Sequence, residues 1–241
     1  MLEDSKLAYF SGQYWLTLAV CCLCIGVCLF AFSHYRFFFR RQSAIMRGLL
    51  ASFGVITGIT GTLHLTLVEH WRILASLPLE LCSLTCTMLF PLALINNSRA
   101  LMEVSLLFSL LGVPLAYLFP DITQSINLLY INFYLYHTLM ILMTGYVLII
   151  ERLSITRYTW VKASMALNLY IAVMMPFDVI FGENFFFLMA RPVGTPEDYF
   201  GRWPMYIFLS DILFIVVFFC INYLLLGLKS AVMRPSKNVL V

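Results

Sequence analysis

The sequence predicts an all-α bundle of seven transmembrane helices, one integral membrane domain over residues 1–241, with its N-terminus outside and its C-terminus in the cytoplasm. Three observations carry this reading. Of 241 residues, 62% are apolar, 16% aromatic and only 11% charged, with a mean hydropathy of +0.91, whereas soluble domains carry about 45–50% apolar and about 25% charged residues. The apolar residues collect in seven blocks, each near the roughly 20 residues that a bilayer crossing needs. The basic residues favour alternate connections, which fixes the orientation.

Span one, about residues 14–32, has no charge and holds Cys21, Cys22, Cys24 and Cys28. Span two, about residues 48–68, carries Gly54, Gly58 and Gly61, a small-residue series that lets helices approach closely, with His64 on the same face. Span three, about residues 77–95, opens on Ser76, Leu77, Pro78 and Glu80. That order predicts a helix start, since Pro is tolerated in a first turn and an acid favours the positive helix end. Cys82 then sits just past the first turn. Span four, about residues 100–119, holds Glu103. Span five, about residues 127–150, places Asn127, Tyr130, Tyr134, His137 and Thr144 within about 100° of arc, a polar stripe that must face inward. Span six, about residues 161–181, contains Asp178. Span seven, about residues 204–228, contains Asp211 and no lysine, which argues against a retinal Schiff base. The connections are short except residues 182–203. There Phe185 to Met189 are too apolar for a solvated linker, so the segment is expected to cover a cavity as a lid or to anchor in the outer interface.

Arg36, Arg40, Arg41, Arg47, Arg99, Arg152, Arg157, Lys162, Lys229, Arg234 and Lys237 fall on one side of the predicted topology, and Lys6, Arg72, Arg191 and Arg202 on the other. The net charge of +3 is too small and dispersed for a nucleic-acid surface. Met1 to Lys6 contains Glu3 and Asp4, unlike a basic signal-peptide start, so span one is expected to be retained. The cysteines lie in apolar blocks and imply no disulfide scaffold. Cys21, Cys24 and Cys28 share a face without a His or carboxylate partner, which reads as packing. No cofactor or metal is predicted, and no repeated half marks an inverted-repeat transporter.

Ionisable groups at membrane depth are costly and mark candidate sites; here they are Glu80, Cys82, Glu103, His64, His137, Asp178 and Asp211. At about 1.5 Å per residue, Cys82 lies roughly 8 Å, Asp211 roughly 10 Å and His137 roughly 15 Å below the outer helix ends. His64 and Asp178 lie near those ends, so five groups from five helices are expected to share one outer layer. The plainer accounts are a structural hydrogen bond for each histidine and a small apolar role for Cys82.

Four stretches carry a resemblance: Leu77-Pro78-Leu79-Glu80-Leu81-Cys82-Ser83; Phe133-Tyr134-Leu135-Tyr136-His137; Glu183-Asn184-Phe185-Phe186-Phe187-Leu188 with Arg191-Pro192; and Gly201-Arg202-Trp203-Pro204-Met205-Tyr206. Over about residues 45–225 the chain resembles the YwaF family of small bacterial integral membrane proteins. It departs from that pattern at Phe185, where Tyr is usual, at Arg202 and Met205, usually Pro and Trp, and at Glu80, often neutral or His. The family is distantly similar to an animal transmembrane acyltransferase that remodels ether phospholipids through a membrane cysteine and a histidine, which map here to Cys82 and His137.

The resemblance implies a transacylase of the bacterial plasma membrane that moves a fatty acyl chain between membrane glycerolipids through a Cys82 thioester, with His137 as the base. Asp178 or Asp211 would orient the imidazole and Asn184 or Tyr134 would stabilise the oxyanion, with His64 also in support. A carrier or receptor binding a small polar solute or lipid in the same outer cavity is the first rival. A helix-packing scaffold is the second. Oligomeric state is not legible.

Overall fold

The computed structural model describes residues 11–120, 122, 125–192 and 195–232. The predicted start at Met1–Lys6, the Lys229 side chain, Arg234 and Lys237 lie outside what is described.

The described residues form helices and no strands. The helices are α1 (Gly12–His34), α2 (Arg36–Arg41), α3 (Ser43–Leu67), α4 (Leu81–Ile95), α5 (Arg99–Leu118), α6 (Leu128–Ile149), α7 (Thr159–Phe181) and α8 (Met205–Val232). Six of them, α1, α3, α5, α6, α7 and α8, are long and apolar enough to cross a membrane. Local chemistry sets several ends. Ser11 accepts from the Tyr14 N–H at 3.2 Å to start α1, and Asn127 accepts from the Tyr130 N–H at 2.9 Å to start α6. Both satisfy first-turn donors that have no partner within the helix. Gly182, at φ +68°, closes α7 in the left-handed conformation that glycine adopts freely.

Span three differs most from expectation. Its helix begins at Leu81 rather than near Leu77 and is interrupted by a π turn at Thr85–Leu89. Pro78 disfavours a helical Leu77 before it, and the Leu79 N–H turns back to the Leu77 carbonyl at 2.8 Å. Glu80 therefore occupies the N-cap position in extended geometry, φ −55° and ψ 142°, rather than the first turn, and Cys82 becomes the second helical residue. The six-residue α2, with Phe37 and Phe38 exposed between arginines, was not legible as a separate element.

Helix α5 is the hub and packs on α4, α6, α7 and α8, while α6 joins it to α1 and α3. Phe90, Leu94, Leu106, Leu107, Met140, Tyr146 and Phe218 are buried in this core. The glycine face of α3 sits against α4 as expected. A Cβ on Gly54 would run into the Cys86 carbonyl oxygen, and one on Gly58 would fall 2.5 Å from Thr87 Cγ2. Glu103 is buried near the start of α5, accepting from Thr159 Oγ1 at 2.8 Å and Lys162 Nζ at 2.6 Å. It ties α5 to α7 at the end of the bundle away from the other predicted groups.

Candidate functional site

Cys82 is half-buried. Its sulfur rests where α5 has no side chain: a Cβ on Gly112 would lie 2.7 Å from Sγ. The preceding turn is held by long-range bonds. Tyr170 Oη donates to the Leu79 carbonyl at 2.7 Å, and Glu80 Oε2 accepts from the Phe186 N–H at 2.8 Å. Glu80 thus serves the segment predicted to be a lid rather than its own helix.

That segment packs inward. Phe185 and Leu188 are buried with Met174, Tyr206 and Ile207, and the Phe186 ring meets Tyr170 at 5.6 Å and Phe214 at 6.0 Å. Phe186 and Phe187 both adopt left-handed backbone, φ 54° and 56°, at a cost of about 1–3 kcal/mol each. Surrounding bonds impose this: Tyr206 Oη donates to the Phe187 carbonyl at 2.5 Å and Trp203 Nε1 to the Leu188 carbonyl at 3.1 Å. Asn184 braces the same loop, its Oδ1 accepting from Met189 and Ala190 N–H at 2.8 and 2.9 Å and its Nδ2 donating to the Ala190 carbonyl at 2.9 Å. It is committed to the loop rather than free as an oxyanion donor.

The polar stripe of the fifth predicted span, now on α6, faces inward as expected, with Tyr130, Tyr134, His137 and Thr144 all buried. His137 is 1% exposed, and its Nδ1 lies 2.8 Å from the Phe133 carbonyl. A carbonyl only accepts, so the Nδ1 of a neutral imidazole carries the proton and Nε2 keeps the lone pair. Around the ring stand Tyr136 at 4.2 Å, Phe133 at 4.4 Å and Tyr117 at 6.1 Å. Tyr117 Oη is 2.8 Å from Thr138 Oγ1, Tyr14 Oη donates to the Tyr117 carbonyl at 3.0 Å, and Thr17 Oγ1 is 2.6 Å from Tyr130 Oη. Tyr134 Oη is buried with no partner of hydrogen-bond geometry. No pattern singles out Tyr117 in advance, because a tyrosine near a span's end reads as an interface residue.

Cys82 and His137 make no hydrogen bond with each other among the described residues. Both lean on α5, through Gly112 and Tyr117, and five residues along a helix rise about 7.5 Å. Tyr136 links them: its ring lies beside that of His137, tilted by 34°, and it lies within electrostatic reach of Cys82 and Glu80. The other predicted groups find separate surroundings. His64 Nε2 is 3.5 Å from Glu69 Oε1. Asp178 is fully buried, facing the Phe185 N–H, yet neither carboxylate oxygen reaches hydrogen-bond geometry. Asp211 Oδ1 accepts from Asn168 Nδ2 at 3.1 Å. Neither aspartate orients His137; the Phe133 carbonyl does. The expected single layer is therefore several local clusters, because depth read from sequence carries no information on azimuth around the bundle.

Two recesses accompany these groups. One, about 40 Å³, lies beneath residues 186–188 between α7 and α8 and is bordered by Phe186, Tyr206, Ser210, Asp211 and Phe214. The other, about 280 Å³, is an apolar groove between α3 and α4, bordered by Gly58, Leu63, Pro78, Thr87 and Met88. Among the described residues, no three His, Cys, Asp or Glu side chains gather as a metal site would require.

A family model described as the TMEM164 family matches residues 9–222. No curated protein and no solved structure matches the chain.

Proposed function

We propose that this chain, which belongs to the TMEM164 family, is a membrane-embedded transacylase that moves a fatty acyl chain between glycerolipids through a thioester on Cys82. His137 Nε2 takes the thiol proton, and the thiolate attacks a glycerolipid ester carbonyl. The tetrahedral intermediate collapses, expelling the lysolipid alkoxide, which takes the proton from the imidazolium. An acceptor hydroxyl then attacks the thioester with His137 again as base, and the thiol is restored. Ester and thioester exchange needs no nucleotide.

The observation that supports this reading is a buried imidazole whose Nδ1 is pinned, leaving Nε2 as the base, beside the same helix, α5, that seats the thiol in the first turn of α4. They make no hydrogen bond with each other among the described residues, and catalytic contacts commonly tighten only when substrate binds. Tyr136 stands where that closure takes place. We further propose that α4 with residues 77–80 makes a seventh crossing, with the N-terminus and lid outside and Arg36, Arg40, Arg41, Arg47, Arg99, Arg152 and Arg157 on the cytoplasmic side of a bacterial cell membrane, following the positive-inside rule.

The test offers the purified protein a labelled phospholipid and a lysolipid, and reads acyl transfer and the mass of the Cys82 peptide. An acyl adduct on Cys82 that disappears with transfer in Cys82→Ala is the expected result; full transfer in Cys82→Ala refutes it. The cleft holding Asp211 and Ser210 favours a second reading, a carrier or receptor without covalent chemistry. It expects Cys82→Ala to keep function and Asp211→Asn to abolish it.

A further inference from the structure

We propose that the cleft beneath the lid binds an ammonium group, supplied by an aminolipid headgroup or by a free amine. The inference goes beyond acyl transfer and does not require it. Asp211, six residues inside α8, lies about 9 Å below that helix's outer end and borders the cleft. Its Oδ1 is engaged by Asn168, and its Oδ2 has no hydrogen-bond partner among the described residues. Glu197, in the outer turn Pro196–Tyr199, contributes a second carboxylate to the lining.

The independent sign of a ligand is Ser210. This side chain is only 7% exposed, borders the cleft, and its Oγ is buried without a partner. A buried hydroxyl left unpaired costs about 1–3 kcal/mol, so a polar group filling the cleft removes that cost.

The chemistry of the walls selects the ligand. An anion is disfavoured, because no Lys or Arg borders the cleft, and Arg191, which lies within electrostatic reach of Tyr206, donates to the Gly201 carbonyl at 2.8 Å. A purely apolar ligand leaves the carboxylate and hydroxyl unanswered. A hard metal ion wants about six oxygens, and the rings of Phe186, Tyr206 and Phe214 supply almost none. Carboxylates with aromatic faces are the setting that an ammonium fits, by charge-assisted hydrogen bonds and cation–π attraction. A volume of about 40 Å³ suits a primary ammonium better than a trimethylated one.

The test reconstitutes the full chain in nanodiscs of phosphatidylglycerol alone, or with phosphatidylethanolamine or phosphatidylcholine added, and reads retained lipid by native mass spectrometry. Ethanolamine binding is titrated in the phosphatidylglycerol discs. Retention of phosphatidylethanolamine at least about tenfold over phosphatidylglycerol, corresponding to about 1.4 kcal/mol, assigns the site to a lipid headgroup. Ethanolamine binding without that retention assigns it to a free amine. Asp211→Asn abolishes the preference, and Glu197→Gln weakens it several-fold, with thermal unfolding of each variant confirming that it is folded. Cys82→Ala leaves it intact, which separates this proposal from acyl transfer. Absence of both lipid preference and ethanolamine binding in the unaltered protein overturns it, as does a preference unchanged in both Asp211→Asn and Glu197→Gln.

Discussion

Gly112→Ala probes the seat of the Cys82 thiol with a single carbon. The new Cβ would lie 2.7 Å from Cys82 Sγ, against about 3.5–4.0 Å for ordinary contact between carbon atoms, so the thiol must retreat by about 1 Å. Overpacking of this kind costs about 1–3 kcal/mol. The same change removes a glycine from the interior of α5, a gain of about 1 kcal/mol in helix propensity. The net expectation is a loss of about 0–2 kcal/mol in stability, small enough for the variant to fold. Its effect on chemistry is larger, because a 1 Å misplacement of a reacting group costs about 10²-fold in rate. Thermal unfolding in detergent reads the first quantity and the rate of acyl-Cys82 formation reads the second. Gly26→Ala is the control, since no atom lies within 4 Å of a Cβ there. A Gly112→Ala protein that gains the full helix-propensity increment and acylates at the original rate would refute the idea that Cys82 is positioned by this contact.

Glu80→Ala removes the acceptor for the Phe186 N–H; a charge-assisted bond is worth about 1.5–3 kcal/mol, so hydrogen exchange at Phe186 should accelerate by about one to two orders of magnitude, and Glu80→Gln should do less. Gly54→Ala drives a Cβ into the backbone oxygen of Cys86, which cannot swing aside as a side chain can, so its loss of thermal stability should reach about 3 kcal/mol and exceed that of Gly112→Ala. Glu103→Ala strips a buried acceptor from Thr159 and Lys162; because Lys162 is 41% exposed on its side chain and can rehydrate, the loss in a denaturation assay should stay near 1–3 kcal/mol rather than the larger cost of a stranded buried charge.

Helix positions were legible because a bilayer demands long apolar runs, and the predicted ends of α6 and α7 differ from the observed ones by at most two residues. The inward stripe on α6 followed from periodicity, and the close face of α3 from its glycines. The start of α4 was not legible: Ser76 to Leu79 are apolar enough for a helix, and only the turn beyond Pro78 excludes it. Pairings were not legible either. Glu80 meets a backbone N–H 106 residues away and Glu103 a lysine 59 residues away, and no local pattern encodes such distances. Depth alone puts Cys82 and His137 in the same half and says nothing of Gly112 and Tyr117, the α5 residues on which they lean.

The shortness of α4 has a consequence for the lipid around it. At about 1.5 Å per residue its 15 residues span about 22 Å, against about 30 Å of hydrocarbon. A rod too short for its surroundings is matched by thinning the adjacent leaflet or by burying irregular chain in neighbouring protein. Tyr170 and Phe186 partly provide the second, bonding to Leu79 and Glu80. On the proposed reading of α4 as a crossing with Cys82 in the outer half, the remaining deficit would draw the outer leaflet down into a dimple beside α4, carrying glycerol ester linkages toward the depth of Cys82. Spin-labelled lipids whose depth profile stays flat near α4 would show that no such indentation forms.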